Sequence, residues 1–148
     1  MITDTDINKL SKKHQIDRYS IIREYIQLVF LKYLYTDKTG NDIYFKGGTL
    51  IHLLLKSFRF SEELDFSANI AVDAFTGQIY YNIAGMKTPL TIKIETSGRD
   101  KPLTKAITLL ETEFPIIPYP LIVHLDWEEV FAEKIRALLV RKKGRDLF

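Results

Sequence analysis

The chain has no cysteine. That single absence excludes disulfides, thiolate zinc sites and cysteine nucleophiles together, and it sets the expected location in a reducing cytoplasm. Long apolar runs are missing too. The longest are too short and too interrupted to span a bilayer, so no membrane partner is expected. The N-terminal "MITDTDINKLSKKHQ" alternates charge and does not read as a secretory signal. A net excess of either charge is nearly absent: 21 Lys and Arg stand against 19 Asp and Glu, a net of +2. No global field therefore argues for nucleic acid, and any such partner needs a local patch. Histidine is sparse, and His14, His52 and His124 are too far apart in sequence to make a metal spacing. His52, on an apolar run, reads as a hydrogen-bonded core residue.

What is present is an ordinary globular balance, 46% apolar and 27% charged, over 148 residues. That length is one domain, 1–148, with a single core and no repeat, low-complexity segment or linker. Asp4 or Thr5 is positioned to cap a short first helix. From about Asp17 to Tyr35 the apolar positions Ile22, Tyr25, Ile26, Val29, Phe30 and Tyr33 follow a helical period, widened by Leu28, Leu31 and Leu34. "DKTGND" carries turn chemistry, "DIYF" suits a buried strand, and Thr49 is placed to cap the apolar helix "LIHLLLKSF". "ELDFSANI", "GQIYYNIAG", "PLTIKIETS", "KAITLLETEF" and "YPLIVHL" read as strands. Asp126 and Glu129 suggest a capping box opening a last helix, with Phe131, Ile135, Leu138 and Leu139 as its apolar stripe and Gly144 as its stop. The expected fold is α/β (α+β), a mixed sheet flanked by helices.

The chemistry concentrates in "YFKGGTLIHLLLKSFRFSEELDF". A strand, then Gly47 and Gly48, then a helix start is a recipe for holding phosphate: the backbone is open to approach and free N–H groups point outward. The same pattern also serves as a plain tight turn. Glu63 and Asp65 are two apart on a strand and so share a face, where both carboxylates can converge on one hard cation such as magnesium. Read blandly, they are the solvated face of an edge strand. Spacing alone leaves both open.

These residues resemble the signature of the AbiEii/AbiGii-type nucleotidyltransferase toxins, K-G-G-T followed after a helix by R-x-S-x-D-[IL]-D-[FL]. Lys46, Gly47, Gly48, Thr49, Arg59, Ser61, Asp65 and Phe66 match it. "EEVFAEKIRALLVRKKGRDL" is similar to the family's A-E-K-x-x-A-L-x-x-R…R-D segment through Ala132, Glu133, Lys134, Ala137, Leu138, Arg141, Arg145 and Asp146. The resemblance implies a nucleotidyltransferase-like fold, one or two magnesium ions, a nucleoside triphosphate donor, an acceptor such as tRNA or another RNA, and a cognate antitoxin. It assigns Glu63 and Asp65 to the metal. Lys46, Gly47, Gly48, Thr49, Arg59, Ser61, Arg141 and Asp146 fall to the triphosphate, and Lys134 to catalysis. Folds of this kind add a third carboxylate from a neighbouring strand. Glu95 is the candidate, because "TIKIE" places Thr91, Lys93 and Glu95 on one face with Ile92 and Ile94 behind.

The pattern departs from the family at three points. Glu63 stands where the family has aspartate, which moves the carboxylate by about 1 Å. The segment between Phe66 and Leu90 is short. Relatives also continue past the equivalent of Phe148, so a minimal or C-terminally truncated version is expected. The competing reading is therefore a catalytically weakened module of the same fold that binds nucleotide or a protein partner. A general RNA-binding module built on Lys142, Lys143 and Arg145 has less support, because no RNA-binding motif accompanies them.

Overall fold

Six strands form one mixed sheet in the order β3-β4-β2-β1-β6-β5. The computed structural model describes residues 1–69, 74–84, 87–98 and 101–141. Along the chain run α1 (Asp4–His14), α2 (Arg18–Thr36), a 3-10 turn (Lys38–Asp42), β1 (Ile43–Lys46), α3 (Gly47–Leu55), β2 (Glu63–Ala68), β3 (Ala74–Tyr81), β4 (Leu90–Ser97), β5 (Lys105–Leu109), β6 (Leu121–Leu125) and α4 (Trp127–Arg141). β1 pairs antiparallel with β2 and parallel with β6, while β2 runs parallel to β4. The expected helix-flanked mixed sheet is what forms.

Strand register sorts the side chains. Phe45 faces Phe66 across β1 and β2, and Leu64 faces Ile94 across β2 and β4. These residues lie on one side of the sheet, where Phe45, Leu64, Phe66 and Ile92 have essentially no exposure. α2 packs over this side, with the Phe30 ring 6.4 Å from that of Phe66. The alternation then sends Lys46, Glu63, Asp65, Lys93 and Glu95 to the opposite side. A buried apolar face thus fixes where every polar residue of β2 and β4 points.

Several local expectations shift. Thr3, not Asp4 or Thr5, caps α1, in a reciprocal box with Asp6. In α2 the buried set is Ile21, Ile22, Gln27, Leu28 and Leu31, whereas Tyr33 is 71% exposed. A helix apolar on most sides has no periodic signal strong enough to set its rotation, so neighbours decide. Tyr35, held un-ionised by burial, places its hydroxyl 3.0 Å from the Ile43 carbonyl and 2.8 Å from that of Val123, joining α2 to β1 and β6. Glu129 does not reach back to its own helix start. Its carboxylate accepts from the backbone N–H groups of Leu103 and Thr104, which fastens α4 to the segment before β5. The stripe on α4 is partly outward, with Phe131, Ile135 and Leu139 exposed and Leu138 half-buried. Gly144 lies outside the described residues.

Candidate functional site

β1 delivers the chain to α3 without a loop. Lys46 is the N-cap of α3 and makes no side-chain cap bond, so the first N–H groups of the helix, at the Gly-Gly pair, have no capping side chain. Gly47 has φ +80°, a conformation that L side chains rarely adopt. A methyl group there would also lie 2.3 Å from Oδ2 of Asp65. Gly48 is different. A methyl at that position meets nothing nearer than Ser61, at 3.9 Å. The pair was expected to open the backbone to a ligand. The structure gives Gly47 a second task, making room for Asp65.

Thr49 does not cap α3. It is fully buried, and its hydroxyl donates to the carbonyl of Glu63, which anchors the first acidic residue of β2 to the helix start. Ser61 is half-buried beside this junction. Its carbonyl accepts from buried Gln27, and its hydroxyl lies 3.4 Å from the backbone nitrogen of Glu63. Arg59 is half-buried in the same approach to β2.

Across β2 and β4 the register sets Glu63 opposite Lys93 and Asp65 opposite Glu95. Glu63, Asp65 and Glu95 can each offer an oxygen such that all three lie within 4.8 Å of one another, the one such acidic cluster among the described residues. The donor set is all carboxylate oxygen, which suits a hard cation. An octahedral magnesium ion at about 2.1 Å needs adjacent oxygens roughly 3 Å apart and opposite ones roughly 4 Å apart. Small rotations of half-exposed side chains close that difference, so the residues present fit the ion. Position 63 takes part as glutamate.

Two lysines bracket the cluster. Lys93 donates to Glu95 and stands 3.9 Å from Glu63. The hydrogen bond and charge of Glu95, with smaller contributions from Glu63 and Asp65, raise its pKa above the ordinary lysine value. Lys46, opposite Asp65 in the strand register, forms a 2.7 Å ion pair with Glu133 of α4, and both side chains are largely buried. This pair fixes α4 to β1. Lys134, the next residue, is half-buried. Arg141 is the last residue of α4, and Asp146 and Arg145 lie outside the described residues. The partnership of Lys46 with Glu133 and the contact of Lys93 with the acids went unforeseen. The "TIKIE" alternation already put Lys93 beside Glu95, but nothing local points from residue 46 to residue 133.

A separate cavity of about 600 Å³ opens at the far end of α3, lined by Ile21, Glu24, His52, Phe60 and Phe114 among others, and none of the three clustered carboxylates borders it. His52 there is buried and bonded to the Ser57 carbonyl and to Glu24, as a core histidine should be. No helix among the described residues is long and apolar enough to cross a membrane.

A family model described as "Nucleotidyl transferase AbiEii toxin, Type IV TA system" matches residues 29–84 and 68–148. Among solved structures, "Crystal structure of putative nucleotidyltransferase from H. pylori" is similar at 21% identity and a TM-score of 0.49, over 82% of this chain. The chain spans 65% of the length of that protein. No curated protein matches.

Proposed function

Since the chain belongs to the AbiEii nucleotidyl transferase toxin family of type IV toxin–antitoxin systems, we propose that it moves a nucleotidyl group from a nucleoside triphosphate to an acceptor hydroxyl. The observation that carries this reading is the cluster of Glu63, Asp65 and Glu95 on the polar face of β2 and β4, beside the uncapped start of α3. In this reading the three carboxylates hold magnesium, which when bound neutralises charge on the triphosphate and polarises the reacting phosphorus. The N–H groups at Gly47, Gly48 and Thr49 receive phosphate oxygens, helped by the positive end of the helix dipole.

Transfer forms a bond from the acceptor oxygen to the α-phosphorus and breaks the bond to the α–β bridging oxygen. Pyrophosphate leaves, and the hydroxyl proton passes to a carboxylate of the cluster. Lys46 supports the site indirectly, through Glu133, by holding α4 to β1. Lys134 then supplies positive charge to the triphosphate, with Arg59, Ser61, Arg141 and Asp146 as further contacts on the donor side. Transfer RNA is the first acceptor to test, the cytoplasm the expected compartment, and a cognate antitoxin the expected regulatory partner.

The test is incubation of the full chain with magnesium, each labelled triphosphate in turn and total tRNA. Label appearing in RNA only with magnesium, and lost in Asp65→Asn, supports the reading. No label transfer from any triphosphate, to RNA or to the protein itself, counts against it.

A further inference from the structure

Two cross-strand pairs, Glu63 with Lys93 and Asp65 with Glu95, put three carboxylates and one ammonium on a single patch of sheet. Carboxylates whose oxygens lie within 4.8 Å repel strongly unless a cation stands among them. Lys93 is such a cation for Glu95 and Glu63. It donates to one member of the cluster and stands 3.9 Å from a second. Its side chain is 38% exposed, and those of Glu63 and Glu95 are 44% and 43% exposed. Packing therefore does not force the ammonium inward; opposite charge draws it there.

We propose that Lys93 is a built-in competitor of the divalent cation. Its ammonium gathers Glu95 and Glu63 while no metal is bound, and its hold on one oxygen of Glu95 must loosen as the three carboxylates close on a divalent ion. This rests on the reading that the cluster holds magnesium, and it adds a positioning residue to that reading. The competition is electrostatic and steric at once. The ammonium occupies one oxygen of Glu95, the ligand contributed by β4, and its charge opposes a second cation a few ångströms away. At the screened strength of a half-exposed site, that opposition corresponds to about tenfold in metal affinity. Lys93 thus keeps the acidic face folded without metal, at the expense of weaker binding of the free ion.

The experiment measures manganese binding to the full chain by electron paramagnetic resonance of the unbound ion, for wild type, Lys93→Met, Lys93→Gln and Lys93→Arg. Manganese serves as a spectroscopic substitute for magnesium. Both neutral variants are expected to bind about tenfold more tightly, and Lys93→Arg, which keeps the charge, to stay close to wild type. Without metal the neutral variants should melt below wild type, and saturating manganese should raise their melting temperature by more than it raises that of wild type. The two neutral variants are carried in parallel so that poor folding of one leaves the other to decide. A folded neutral variant that binds manganese no more tightly than wild type overturns the inference while leaving the metal site standing. Failure of all four proteins to bind manganese removes the metal site itself, and the role of Lys93 with it.

Discussion

Gly47 and Asp65 share one volume: a β-carbon at residue 47 would sit 2.3 Å from the carboxylate oxygen Oδ2 of residue 65. The backbone of Gly47 is also at positive φ, so a side chain there is strained before it meets anything. Gly47→Ala should therefore destabilise the fold by about 1–2 kcal/mol and push Asp65 away from its partners. Gly48→Ala, whose nearest neighbour is Ser61 at 3.9 Å, should leave stability nearly unchanged. Denaturant melts of the two variants beside wild type check the contrast. Equal behaviour of the pair would dissociate Gly47 from Asp65.

Magnesium together with the correct triphosphate should raise the melting temperature of the wild type. A ligand at 100 times its dissociation constant adds about 2.7 kcal/mol. Asp65→Asn should remove the magnesium-dependent part of that gain while the unliganded protein still melts cooperatively. Thermal melts with and without chelator, across the four common triphosphates, provide the measurement.

Position 63 takes part in the cluster as glutamate. Glu63→Asp withdraws its carboxylate by about one carbon–carbon bond, and a displacement of that size can lower rate by on the order of 10²-fold. Glu63→Ala should be at least as damaging. Single-turnover transfer by the three proteins side by side reads this out. A gain on Glu63→Asp would instead mark Glu63 as a change that weakened the site.

Lys46 and Glu133 form a 2.7 Å pair with side chains only 14% and 25% exposed. Losing one partner strands the other, so Lys46→Met or Glu133→Gln should each cost about 1–3 kcal/mol. The double variant Lys46→Met/Glu133→Gln should recover part of that loss. A double-mutant cycle by urea unfolding gives the coupling directly; strict additivity would mean that the pair does not hold α4.

The His52–Glu24 contact predicts a pH dependence. Burial is the largest single influence on His52 and pushes its pKa down. The hydrogen bond and charge of Glu24, with the Ser57 carbonyl, outweigh it, and the net direction is upward from 6.5. The folded state then holds the proton more tightly than the unfolded chain. This contribution to stability is complete below pH 6.5 and is lost as pH rises through the higher folded-state value. Unfolding measured between about pH 6 and 9 should show that decline. Glu24→Gln should flatten it.

The amino-acid order alone went far. Alternation in "ELDFS" and "TIKIE" determined that Glu63 and Asp65 share a face and that Lys93 and Glu95 share one, because strand side chains repeat every two residues whatever the surroundings. The Gly-Gly pair between a strand and an apolar run marked a helix start on the same local grounds. The motif carried the family. Pairing was beyond reach of any local rule. That β2 lies beside β4, setting Asp65 against Glu95, follows from how a six-strand sheet buries Phe45, Leu64, Phe66 and Ile92 under α2. The rotation of α2, the capture of Glu129 by Leu103 and Thr104, and the bond from Thr49 to the Glu63 carbonyl are likewise tertiary. Thr49 and Glu129 each had a local capping role open to them in the sequence, and the folded chain gives each a distant partner instead. Lys46 and Glu133 stand 87 residues apart. Only the closing of the fold brings such charges within reach of each other, because ion pairing acts over a few ångströms of space and has no periodicity along the chain.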